Sequence, residues 1–261
     1  MTRRPPRRAG NHVRTAVVSM PGTVVRRRSV GPDLGIGTAD AGWSDCWSAT
    51  ADLAAGAGAG VGVAAVGVAC VLRARRREDL PLAALPLLLG AHQIVESLVW
   101  DAGGGTGPAT VARAVIALPL PAVWVPLGVL WAARRQARRR LTLPLAAGIV
   151  TAAALAYALT AHPVRAEIRG HTMGYVVDLA QPELVIAGCL FATVGALLIS
   201  GDRGLLLLGV LVAAGAVICW SLWELEFVST WCALAAVGSV ALLVWVNSRA
   251  AVASLEPAAH R

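Results

Sequence analysis

Apolar residues fill seven long stretches of the chain, at about 48–72, 82–100, 109–132, 141–160, 182–200, 205–223 and 227–246. Each is long enough to cross a hydrocarbon core of about 30 Å as a helix of roughly 20 residues. Polar residues are confined to short connectors, which leave no room for a soluble domain. The pattern predicts an all-α fold, an integral membrane bundle of seven transmembrane helices. Pro86, Pro119, Pro121, Pro126 and Pro144 fall inside the stretches, so kinked or offset helices around an internal cavity are expected. The second stretch breaks its own pattern: LLLGAHQIVESLVW (87–100) sets His92, Gln93 and Glu96 within five residues. An ionisable side chain in hydrocarbon costs on the order of 3 kcal/mol or more, so Glu96 should face a partner or a wet cavity.

Composition agrees with the membrane reading. The 261 residues are 57% hydrophobic, with a mean hydropathy of +0.66. All 23 basic residues are arginine, for a net charge of +8. Such a charge suits nucleic acid in principle, but these arginines lie in the N-terminal segment and in short loops between apolar runs, so no nucleic-acid partner is expected and membrane lipids are. RARRRED (73–79) and RRQARRR (134–140) hold four and five arginines, whereas DAGGGTGP and the turn around WELEF hold none. By the positive-inside rule the arginine-rich loops are cytoplasmic, with the N-terminus outside and the C-terminus inside the cell membrane. Residues 1–44 carry eight arginines against that arrangement. They read either as a disordered cytoplasmic arm that inverts this topology or as a segment outside the functional protein, ahead of a transmembrane domain at 45–248 and a short tail at 249–261. Cys46, Cys70, Cys189, Cys219 and Cys232 lack paired spacing, so no zinc ribbon or disulfide framework is indicated.

Antiparallel spans bring the polar residues to one end of the bundle. Glu96 and His92 share a helical face about 6 and 12 Å below Trp100. Ser48 and Asp52 open the first span at the same end. The fourth connector adds His162, His171, Tyr175 and Asp178, and the sixth adds Trp220, Trp223, Glu224, Glu226 and Trp231. Inert explanations exist for each: a helix-tying pair for His92 and Glu96, an early-turn acid for Asp52, solvated charges for Glu224 and Glu226, an ordered loop for His171, Tyr175 and Asp178. Trp131 and Trp245 read as interfacial belt residues.

CWSATAD from Cys46, LPLAALPLLLGAHQIVESLVW, GHTMGYVVDL and STWCALAAVGS resemble, in order and spacing, an actinobacterial family of small multi-pass membrane proteins of unknown function. The likeness runs from about Cys46 to Trp245 and implies fold and membrane location but no activity. Relatives commonly begin with Met directly before the Cys-aromatic-Ser-Ala motif; Asp45 stands there in this chain, and of the two readings of residues 1–44 the resemblance supports a start codon misassigned upstream.

Three functions fit the constellation. The favoured one is an acid-initiated cyclase or isomerase of natural-product biosynthesis acting on a prenyl or similarly lipophilic small-molecule substrate. The chain is similar in size and span count to small integral-membrane terpene cyclases. A carboxylic acid kept neutral in a dry site (Glu96, Glu224 or Glu226) would protonate an alkene or epoxide. Indole walls (Trp220, Trp223, Trp231) would shelter the cation, and His92 or Asp52 would remove the final proton, with His171, Tyr175 and Asp178 at the substrate. The second is a metal-dependent intramembrane hydrolase with His92, Glu96, His171 and Asp52 or Asp178 as ligands. The third is a transporter, proton relay or sensor. Neither a P-loop, a Rossmann fingerprint nor GxSxG is present, and no cofactor is expected in the favoured reading.

Overall fold

A computed structural model describes the backbone of residues 41–169, 172–177, 179, 181–221 and 227–255, with side chains at 56–167, 177, 179, 181–218 and 234–251. Helix α1 (Ala41–Arg73) is followed by a single 3-10 turn (Arg77–Asp79), α2 (Leu80–Ala83) and α3 (Leu85–Asp101). Next come α4 (Pro108–Ala117), α5 (Pro119–Ala132) and α6 (Arg135–Ala161). A hairpin of β1 (Arg165–Arg169) and β2 (Thr172–Val176) precedes α7 (Pro182–Leu190), a π turn (Phe191–Gly195) and α8 (Ala196–Leu198). Helices α9 (Arg203–Ser221) and α10 (Phe227–Leu255) complete the described chain. The fold is all-α apart from the hairpin. Helix α10 runs unbroken past 248 to Leu255.

By length and composition five helical segments can cross a membrane: Gly56–Arg73, Arg77–Asp101, Pro108–Ala132, Arg135–Ala161 and Leu234–Ala251. Pro182–Leu198 and Arg203–Ile218 are shorter apolar helices. Large apolar side chains point outward along them, among them Val150, Leu207 and Val217, a surface suited to lipid rather than water.

Proline breaks the segments where its missing N–H and its clash with the preceding turn predict. Helix α2 gives way to α3 at Ala84, two residues before Pro86. Helix α4 gives way to α5 at Leu118, directly before Pro119. Pro126 and Pro144 stay inside α5 and α6.

Small residues set the closest packing. A Cβ placed on Gly90 of α3 would come within 2.6 Å of the Gly60 carbonyl oxygen and 2.7 Å of the Ala64 nitrogen on α1. One placed on Gly67 would lie 2.6 Å from the backbone nitrogen of Leu87. The two backbones therefore touch at both crossings, a contact that only glycine permits and that gains dispersion energy where lipid offers no hydrophobic drive.

Two sets of contacts identify the ends of the bundle. At one end Arg249 of α10 donates to Asp79, Asp202 and the Ala132 carbonyl, which joins the first, third and fifth connectors. At the other, Gly105 and Ala166 exchange backbone hydrogen bonds of 2.9 Å, which joins the second and fourth. The alternation expected of antiparallel spans is thus present along the described connectors.

Trp245 departs from the belt reading. It is buried, and its indole N–H donates to Asp202 Oδ1 at 3.1 Å. Trp131 is half exposed, as a belt residue would be.

Candidate functional site

The site forms at the end of α3 and the start of α4. Gly103, Gly104 and Gly105 adopt φ of 71°, 80° and 90°, a region costly for residues with a Cβ. This run turns the chain back in a few residues so that α4 descends beside α3. The Gly104 N–H caps α3 by donating to the Val99 carbonyl, and the Thr110 hydroxyl on α4 donates to the Gly105 carbonyl.

This turn brings Arg113 over Glu96. Arg113 Nη2 donates to Glu96 Oε1 at 2.9 Å, with both side chains about six-sevenths buried. One turn deeper on α3, His92 is buried, and Gln93 is 3% exposed. Gln93 leans toward α1, where the absence of a side chain at Gly60 leaves room: a Cβ there would come 3.1 Å from the Gln93 Cβ. Both Gln93 amide atoms, Nε2 and Oε1, are buried without a hydrogen-bond partner. Each such group carries a penalty of about 1–3 kcal/mol, a cost that a bound ligand or water would relieve.

The hairpin lies across the Trp100 end. Its β1 residue Ala166 packs against Val99 with Trp100 and Ala109 alongside, and Ala166 is the cross-strand partner of Tyr175. The fourth connector therefore meets the α3–α4 turn, as the alternation of spans predicts. The hydropathy pattern leaves the fourth connector (161–181) without an element of its own, but it contains this two-stranded hairpin. Its antiparallel pairing lets the chain cross the bundle end with its backbone hydrogen bonds satisfied.

Of the polar residues gathered at this end from sequence, the structure fully describes His92, Glu96 and His162: the first two lie on α3 facing the bundle, and His162 follows α6 as its exposed C-cap. Among the described residues no hydrogen bond joins His92 to Glu96. Asp52 lies on α1, Tyr175 on β2, Trp220 on α9 and Trp231 on α10, with side chains outside the described residues. His171, Asp178, Trp223, Glu224 and Glu226 also lie outside them. Sequence reasoning missed Arg113, although the signal was present: it is the sole arginine inside the seven predicted spans. A base at that depth needs an acid beside it.

Among the described residues no group of three or more His, Cys, Asp or Glu is placed to hold a metal ion. His92 and Glu96 supply two of the ligands that a hydrolase would require. Chemically the cluster offers a carboxylate held by a guanidinium, an imidazole one turn away, and a carboxamide with its donor and acceptor both open.

Residues 45–257 match the family of unknown function DUF6629, and the chain belongs to that family. No curated protein and no solved structure matches it.

Proposed function

We propose that this DUF6629 member is a multi-pass enzyme of the cell membrane whose seven helical segments all cross the bilayer, and that it cyclises or isomerises a prenyl or similarly lipophilic substrate by acid–base chemistry at the Trp100 end. The observation that carries the reading is the buried Glu96–Arg113 pair with His92 and Gln93 one turn below it. Four polar side chains at that depth are a poor way to pack a membrane helix and a good way to handle protons.

The pair divides the labour. Protonating Glu96 would give up its 2.9 Å ion pair with Arg113, so Glu96 serves better as base or counter-charge than as first acid. The acid is then Glu224 or Glu226. It protonates an alkene carbon or epoxide oxygen, and the cation rearranges against Trp220, Trp223 and Trp231. Glu96, through His92 or with Asp52, removes a proton from a neighbouring carbon. One proton enters and one leaves, so substrate and product are isomers. His171, Tyr175 and Asp178 orient the polar head of the substrate.

Expression of the full chain in a host supplying prenyl precursors, followed by chromatography and mass spectrometry, tests this. The expected product has unchanged mass and a new retention time. It should fall about 100-fold or more in Glu96→Gln, the usual size of a lost acid–base group. The double variant E96Q/R113Q, which removes both charges, should fold and remain inactive. A product heavier by one water points to hydration or hydrolysis, and full activity in Glu96→Gln removes this residue from the mechanism. A second reading, a non-enzymatic transporter or sensor, draws on Gln93: an unpartnered carboxamide favours a bound ligand without requiring turnover.

A further inference from the structure

A cavity of about 710 Å³ opens at the opposite, arginine-rich end, between the α5–α6 turn, the turn into α9 and the last turns of α10. Its wall carries four arginines, Arg134, Arg140, Arg203 and Arg249, and one carboxylate, Asp202. That carboxylate is fully engaged. Oδ1 accepts from the backbone N–H groups of Gly204 and Leu205 and from Trp245, and Oδ2 accepts from Arg249. Arg249 is in turn held by Asp79 through two nitrogens, at 2.8 and 3.3 Å. Arg134, Arg140 and Arg203 are exposed and have no carboxylate partner among the described residues. Three guanidinium charges thus face the cavity mouth, while the Asp79–Arg249–Asp202 triad behind them carries a single excess negative charge. The lining is built to receive an anion.

From this lining we infer a binding site for a phosphate group, presented by the headgroup of an anionic phospholipid. Guanidinium is the side chain best matched to phosphate oxygens. The lipid source follows from what lies one turn into the bundle. Leu143, three residues beyond Arg140, and Leu207, four beyond Arg203, are 65% and 67% exposed. Charge at the mouth with bare apolar surface below it matches a headgroup above acyl chains, and a basic pocket at the end of membrane helices is where such headgroups bind. The cavity is at the opposite end from Glu96, so the inference is independent of the enzymatic proposal.

The test uses the full chain in detergent, exposed to mixed micelles of phosphatidylglycerol and phosphatidylcholine, with retained lipid counted by native mass spectrometry. Phosphatidylglycerol should be retained preferentially. The preference should fall roughly 10- to 30-fold in R140A/R203A, the loss of two arginine contacts to an anionic lipid. It should persist in R135A/R139A, which removes the same charge from residues that do not line the cavity. Equal loss in both double variants would overturn the site in favour of diffuse attraction. Binding of inorganic phosphate alone at R140A/R203A-sensitive strength, with no lipid preference, would overturn the lipid assignment and leave a soluble phosphate compound as the ligand. An unfolded R140A/R203A is replaced by R140Q/R203Q, for which the same outcomes apply.

Discussion

Replacing Arg249 by Met tests whether the clasp at the arginine-rich end holds the bundle together. Arg249 makes a two-pronged ion pair with Asp79, whose side chain is only 3% exposed, and also donates to the Ala132 carbonyl at 3.1 Å. Methionine keeps an unbranched apolar stem, gives up the guanidinium that lies 5.2 Å over the Trp245 ring, and leaves Asp79 as an unpaired buried charge. Asp202 loses the 3.4 Å contact to Oδ2 but keeps the three donors to Oδ1, Gly204, Leu205 and Trp245. Breaking a buried pair by removing one partner costs about 3–5 kcal/mol, and the orphaned Ala132 carbonyl adds about 1 kcal/mol. At 2–4 °C per kcal/mol, the full chain in detergent should melt roughly 8–24 °C lower. The double variant D79N/R249M, which leaves no charge to strand, should recover more than half of that loss. Thermal unfolding followed by circular dichroism measures both. Arg249→Met melting within about 2 °C of the parent, or a double variant no more stable than the single, would refute the reasoning.

Gln93→Leu removes two buried polar atoms that gain nothing from the protein, so stability should hold or rise by about 1 kcal/mol while formation of the isomeric product declines; a fall in melting temperature would mean the amide has a partner in solution. Gly90→Val drives a branched side chain into the Gly60 carbonyl and Ala64 of α1. It should cost about 1–3 kcal/mol by overpacking, read as a lower melting point, and an unchanged melt would show that α1 and α3 can part without loss.

The architecture was legible because lipid imposes a simple rule. Helices must satisfy their own backbone, so apolar length locates them and proline marks where they break. Residues 82–100 and 109–132, read as spans, are the segments that Ala84 and Leu118 divide. Glu96 was legible for the same reason, as a charge where charge is costly. What stayed hidden was pairing across sequence. Asp79 and Arg249 are 170 residues apart, and each looks like an ordinary connector charge until the bundle closes. Trp245 shows the limit best. Composition alone puts Trp245 at the interface, yet its indole N–H is needed by Asp202, which itself caps α9. Arg113 was within reach, since a lone base inside a span demands an acid, but it was masked by a composition in which every other arginine lies outside the spans.

The two ends of the molecule answer the same electrostatic problem in different ways. At the arginine-rich end the buried carboxylate of Asp79 meets a bidentate guanidinium, and Asp202 meets four donors, so every charge in the triad has a fixed function in holding connectors together. At the Trp100 end one group stays open: beside the Glu96–Arg113 pair, Gln93 has neither donor nor acceptor satisfied. A network built for stability would be expected to resemble the first end, since a partly satisfied buried network is worse than an apolar core. Polar groups left open beside an ion pair cost stability, and the return for that cost is a place where a substrate or ligand can complete the hydrogen bonds. This asymmetry is why the candidate chemistry belongs to Glu96, Arg113, His92 and Gln93, and the structural charges to Asp79, Asp202 and Arg249.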